Sequence, residues 1–223
     1  MHPFRLLTDN KDKDPVADWD QGVELEGVKC PVSPGHQRAG RRIGLLRITL
    51  RRGVVPDLIW TWGSDLLVTD LVRRLLEEHR LTGFNILPAE ARFDEPGAGA
   101  LPPRLWEVQT TGWAGVARAE SGVRLVERTS CCGHLRYSGC TDPTLLIDES
   151  QWDGSDFFMV WPLPRFHFVT HRAARLILEH ELTGGRLLDV DEVNPIDGFT
   201  PGRLSYWMPD DRAHLLGTSL GIV

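Results

Sequence analysis

The sequence predicts an α+β fold of mixed sheets with two pseudo-repeated strand–helix–strand units, in a single domain over 1–223 with two pseudo-symmetric halves. Three observations predict it. The stretch EEHRLTGFNILP from Glu77 is written again in variant form as LEHELTGGRLLD from Leu178. The likeness runs without a gap from Trp60 to Leu87 at one offset, 101 residues (Trp60 against Trp161), and such self-similarity marks a repeated supersecondary unit. Between the copies the texture turns to β, as in the alternating RLWEVQT. With 223 residues, the chain is long enough to bury a sizeable core.

Taken in order, the first 30 residues carry no periodic signal. RAGRRIGLLRITLRR, Arg38 to Arg52, partly alternates arginine with apolar residues and reads as one strand with a wet face. The repeat units span about 57–90 and 158–191. Each opens on a strand, DLIWTW or FFMVW. Thr69 and Thr170 then suit N-caps, since a threonine oxygen accepts from a free amide of the first turn. Val72, Leu75, Leu76 and His79 share one helical face, as do Ala173, Leu176, Ile177 and His180. Gly83 and Gly184 are placed to end the helices in a left-handed conformation, and FNIL and GRLL follow as strands.

Between the units, Phe93 to Pro103 reads as a glycine- and proline-rich loop. GVARAESGVRLVER reads as a hairpin turning near Glu120, Ser121 and Gly122. The tail after Asn194 is full of turn residues and shows no element. Because the shared residues are caps, core positions and stops, the repeat reads as scaffold. His79 and His180 sit in the last helical turn, where the dipole favours an imidazole, and read as structural. HEL at His180 lacks the second histidine of a zinc-protease helix.

Composition narrows the function. Apolar residues make up 41% and charged residues 25%, ordinary values for a globular chain. No apolar run approaches the roughly 20 residues of a membrane helix. The N-terminus lacks the apolar region of a secretory signal. The expectation is a cytoplasmic protein with no membrane partner. A net charge of −6 argues against nucleic acid as a partner. There is no phosphate loop, dinucleotide fingerprint or nucleophile elbow, so the expectation is that the protein is not an enzyme.

The cysteine segments carry the remaining chemistry. KCPVSPGH holds Cys30 and His36; ERTSCCGHLRYSGC holds Cys131, Cys132, His134 and Cys140. A structural zinc takes four such ligands, often from two knuckles far apart in sequence. CPVS is shaped like a knuckle that lacks its second cysteine, and TSCCG like one that lacks its first.

Two broken CxxCG-like motifs about 100 residues apart, with the lead ELEGVKCP, the phrase LPAEARF and the long segment from LLIDESQWDG through LEHELTG, resemble the double-CXXCG-motif proteins of myxobacteria. The likeness runs from Glu24 to about Val193. It implies an immunity protein that binds and neutralises a toxin delivered by contact with kin cells, by stoichiometric occlusion. Only Cys30 and Cys132 match the family cysteines by position; Ser33 and Thr129 stand at the other two. The preferred expectation is no cofactor, with packing in place of metal. The alternative is a structural zinc on Cys30, Cys132, His134 and Cys140. For the toxin, the expected contact is Trp152 with Asp153 and Asp156, an aromatic anchor in an acidic surround. The rival function is a metal-dependent enzyme using the Cys/His cluster.

Overall fold

The computed structural model describes residues 3–9, 17–51, 54–94 and 101–223. Residues 95–100 of the expected glycine-rich loop lie outside them. The fold is α+β. The described strands are β1 (Phe4–Thr8), β2 (Ala17–Trp19), β3 (Glu24–Val28), β4 (Arg38–Ile43), β5 (Leu46–Leu50), β6 (Leu58–Trp60), β7 (Leu66–Thr69), β8 (Phe84–Phe93), β9 (Leu105–Thr110), β10 (Trp113–Val116), β11 (Leu125–Thr129), β12 (His134–Tyr137), β13 (Phe157–Trp161), β14 (His167–Val169) and β15 (Gly185–Asp189). The α-helices are α1 (Asp70–Glu78), α2 (His171–Glu179) and α3 (Asp210–Gly217).

Six strands form one sheet in the order β2-β5-β8-β9-β7-β6. A parallel bridge between Ala17 and Thr61 joins its two ends, so the sheet closes into a small barrel. Alternation along each strand fills the inside: Leu46, Ile48 and Leu50 from β5 meet Ile59, Leu67 and Leu105. A second sheet stays open, in the order β10-β13-β14-β1-β15. Its β13 is buried along its whole length. Two hairpins, β3–β4 and β11–β12, stand apart from both sheets.

The helical units sit one in each sheet. In both, a hairpin (β6–β7 or β13–β14) runs straight into a helix, so a second strand separates DLIWTW and FFMVW from the helices that follow. Each helix then crosses to a strand that lies beyond a third, antiparallel one. The third strand is β9 in the barrel and β1 in the open sheet. The registers correspond: Trp106 lies opposite Val68 and Pro88, while Phe4 lies opposite Val169 and Asp189. The first hairpin is two residues tighter. Thr69 donates its amide to Asp57 and Thr170 donates its amide to Asp156, so the ladder does not set Trp60 in the place of Trp161.

The helices bury the faces that periodicity marks, Val72, Leu75 and Leu76 on α1 and Ala173, Leu176 and Ile177 on α2. These faces meet in a shared apolar cluster with Leu58, Phe157 and Leu182. Thr170 caps α2 by accepting from the Ala173 amide at 3.4 Å, whereas the Thr69 hydroxyl turns to Asp57. The residues that end the helices in the left-handed region are Arg80 (φ 50) and Glu181 (φ 49), not the glycines.

Gly83 and Gly184 instead serve a crossed contact. A Cβ on Gly83 would stand 1.9 Å from the Phe157 carbonyl oxygen, and one on Gly184 would stand 2.1 Å from that of Leu58. Around them the pattern is reciprocal. Thr82 donates its amide to Asp156 at 3.0 Å, and Thr183 donates its amide to Asp57 at 2.9 Å. Phe157 and Leu58 donate their amides to the carbonyls of Thr82 and Thr183. His79 and His180 meet edge to face at 5.8 Å between the two helix ends.

Three other expectations change. Arg38 to Arg51, the described part of the arginine-rich stretch, is not one strand: Gly44, at φ 79, turns the chain between β4 in a hairpin and β5 in the barrel. GVARAESGVRLVER is not a hairpin, because β10 pairs with β13 and β11 with β12. Ser121 is fully buried and its carbonyl accepts the Thr141 amide at 2.8 Å, which holds the segment as a short 3₁₀ turn. The tail is ordered by bridges Cys140–Ile196 and Tyr137–Phe199 and ends in α3.

Candidate functional site

The two free-standing hairpins face each other through their turns. Cys30 follows β3, and His36 closes the short 3₁₀ turn Pro34–His36 that leads into β4. Cys131 and Cys132 form the tip between β11 and β12. Gly133, at φ 61, turns that tip, where Cys132 is buried and Cys131 exposed, and a Cβ there would meet Arg203. Arg38 ties the tips by donating to the Cys132 carbonyl at 2.8 Å, and Gln37 donates to the Cys30 carbonyl at 3.0 Å.

The sulfurs of Cys30, Cys131 and Cys132 lie within 4.8 Å of one another. Cys30 Sγ is 3.8 Å from Cys131 Sγ and 3.7 Å from His36 Nδ1, and Cys132 Sγ is 3.9 Å from the same nitrogen. Four ligands about 2.3 Å from a tetrahedral zinc stand roughly 3.8 Å apart, so this spacing fits such an ion. Ser33 donates its amide to Cys30 Sγ at 3.4 Å. His36 is oriented from behind: Nε2 lies 3.3 Å from Glu127, which also accepts from Arg136 at 3.2 Å. A carboxylate behind a ligating imidazole fixes its ring and raises its basicity. The His134 ring stacks on His36 at 3.9 Å and 7°.

Electrostatics distinguish the thiols. Burial pushes the Cys30 thiol up, but the Ser33 and Val32 amides, with Cys132 and His36, bring it down to about 6. Burial and then the neighbouring Cys30 raise Cys131. Burial, followed by the nearby His36, lowers His134. The Arg136 guanidinium holds Glu127 below the usual carboxylate range.

Of the ligands expected from sequence, Cys30 and Cys132 are brought together and are nearly inaccessible. His134 stacks on His36 and forms with it and Glu127 a second group beside the thiols; of that group, His36 reaches the thiols through Nδ1. Cys140 belongs to neither group; it is buried in the apolar cluster under the open sheet, where it pairs with Ile196. Cys131 lies with Cys30 and Cys132 instead, and His36 Nδ1 approaches Cys30 and Cys132. His36 sits six residues after Cys30 in a turn made by Pro34 and Gly35, a spacing that a search for paired cysteines passes over.

Of the expected toxin-contact residues, Trp152 is half-buried, Asp153 exposed and Asp156 buried. The Trp152 ring lies tilted against Phe158 at 6.2 Å and donates to the Ser155 carbonyl. Asp153 accepts the Trp113 amide and the Arg212 guanidinium at 3.0 and 2.5 Å. Asp156 is 5% exposed and accepts from Thr82, Thr170 and Arg172. No helix of the described residues is long and apolar enough to cross a membrane. Set against known proteins, the chain matches no family model, and a search of curated proteins finds no match for it.

Proposed function

We propose that this chain is a non-catalytic binding protein whose two cysteine hairpins are clasped by one structural zinc on Cys30, His36, Cys131 and Cys132. One observation carries the reading: the sulfurs of Cys30, Cys131 and Cys132 lie within 4.8 Å of one another, and His36 Nδ1 lies 3.7 and 3.9 Å from Cys30 and Cys132. Four protein ligands fill a tetrahedron, whereas catalytic zinc keeps a position open for water or substrate. That favours a clasp over the metal-dependent enzyme. We further infer that the two helical units are duplicated halves of one domain that exchange a strand, β1 going to the second sheet and β9 to the first. Matching registers and the reciprocal Asp57–Thr183 and Asp156–Thr82 contacts support this.

A rigid, duplicated scaffold with a closed metal site suits capture of another protein. Together with the resemblance to double-CXXCG-motif proteins, it supports an immunity protein that neutralises a toxin by occlusion. The test has two independent arms. Metal analysis of protein purified without chelator should find about one zinc per chain; metal-free, fully folded protein would remove the clasp. Co-expression with the toxin encoded beside it should give a stoichiometric complex; separate elution of the two would remove the immunity reading.

A further inference from the structure

A cleft of about 890 Å³ opens at the mouth of the barrel, between β4, the turn from β6 to β7, and the segment around Trp207. Ligand sites commonly fall between about 300 and 1,000 Å³ and favour barrel mouths. Its floor is already committed. Glu107, 6% exposed, takes Arg42 at 2.5 Å on both carboxylate oxygens. The enclosed His167 has Nε2 3.0 Å from the Ser64 carbonyl and Nδ1 3.3 Å from the Thr110 hydroxyl.

The rim is different. Trp62 is 63% exposed at the tip of the β6–β7 turn. That turn is pinned from three sides. The Asp65 amide bonds the Thr61 hydroxyl at 3.1 Å, Trp19 donates to the Asp65 carboxylate at 2.6 Å, and His167 holds Ser64, whose φ is 69. An aromatic side chain presented on a fixed turn loses little freedom on binding. Across the cleft, the exposed Arg165 lies over the Trp207 ring at 5.5 Å and has no carboxylate partner among the described residues. Arg38, Arg41, Arg42 and Arg165 line the cleft against Asp18, Asp65 and Glu107; Arg42 is taken by Glu107 and Arg41 by Asp210 outside the lining, which leaves Arg165 as the exposed rim cation available to a partner. The chain as a whole carries −6.

We propose that this cleft receives an acidic segment of the partner protein, with an aromatic side chain stacked on Trp62 and a carboxylate on Arg165. The inference rests on reading the chain as a protein-binding scaffold. Complementary charge and a rigid aromatic anchor are the usual carriers of such recognition. The wall formed by β4 begins two residues after His36, so the zinc clasp also shapes the cleft.

The test uses the zinc-loaded full chain and a short capped peptide of alternating glutamate and phenylalanine, followed by calorimetry. Parallel titrations use the same peptide with lysine for glutamate, and an oligouridylate. The acidic peptide should bind, and added salt should weaken it. Arg165→Glu and Trp62→Ala, both at exposed rim positions, should each weaken binding about tenfold or more with unchanged melting. Absence of binding, binding unmoved by both variants, an equal response to the lysine peptide, or tighter binding of oligouridylate would each overturn the proposal. A toxin complex formed equally well by Arg165→Glu would place the interface elsewhere while leaving the immunity reading intact.

Discussion

The barrel and the open sheet share a run of antiparallel neighbours in the same order, yet only one closes. The difference lies in one strand. β8 runs for ten residues, and its last five, Ala89 to Phe93, take β5 in parallel. In the open sheet β15 stops at Asp189, whose carboxylate accepts the Asp191 amide and turns the chain into the 3₁₀ segment Val190–Glu192. Without that extension there is nothing for a sixth strand to pair with. The barrel therefore has an interior of its own, while the open sheet relies on the tail and the helices to cover it. A similar contrast separates the helical seam from the β3–β4 hairpin. The seam buries whole side chains, whereas no residue of β3 or β4 is buried. A lone hairpin is marginal in water, so β3–β4 depends on point contacts: the thiol cluster, Arg42 on Glu107, and Arg41 on Asp210 at 2.7 Å.

The largest expected effect tests whether the seam is the same on both sides. Gly83→Ala and Gly184→Ala place a Cβ against a backbone oxygen at positive φ. Each should cost about 4 kcal/mol and lower Tm by about 10 °C, read by thermal unfolding. Unequal losses would break the equivalence. Next comes the asymmetry within the seam. Asp156 is buried and bonded to Thr82, Thr170 and Arg172, while Asp57 is more open and bonds Thr183. Asp156→Ala should cost about 3 kcal/mol and Asp57→Ala about 1 kcal/mol in denaturant unfolding.

A smaller and more local effect separates hairpin from seam. Chelation of the metal, or Cys132→Ser, should raise amide exchange in β3 and β4 about a hundredfold while barrel amides keep their protection. Equal loosening of the barrel would show that the clasp supports the whole fold. The smallest effect is seen only in metal-free protein. The Cys30 thiol sits at about 6, below its ordinary value of 9.0. Its ionisation therefore stabilises the fold above the unfolded pKa, and that contribution is lost as pH falls through about 6. Thiolate absorbance should show a step near there that Cys30→Ser removes.

Much of the scaffold was legible because its signals are local. The apolar faces of α1 and α2 are set by helical spacing, and the structure buries those same positions. The role of Gly83 and Gly184 was not legible. A glycine after a helix looks the same whether it ends the helix or makes room for a distant carbonyl, and here Phe157 and Leu58 decide. The place of β1 was hidden for a similar reason: its partners begin at His167, far along the chain. In the thiol cluster, Cys30 and Cys132 could be found by motif. The choice of Cys131 over Cys140 depends on which residues share a hairpin tip, and Ile196 holds Cys140 elsewhere. Trp62 gave no signal, since nothing in TWGSD announces that Trp19 and His167 pin the turn from outside.

The seat of β1 has a consequence for synthesis. Its five residues are flanked by β14 and β15, so β1 is paired only after the chain as far as Asp189 has emerged. The barrel strands all lie between Ala17 and Thr110 and are available sooner. A nascent chain would thus carry a finished barrel and a waiting, unpaired β1. Capture of that strand then joins two segments of the polypeptide made far apart in time.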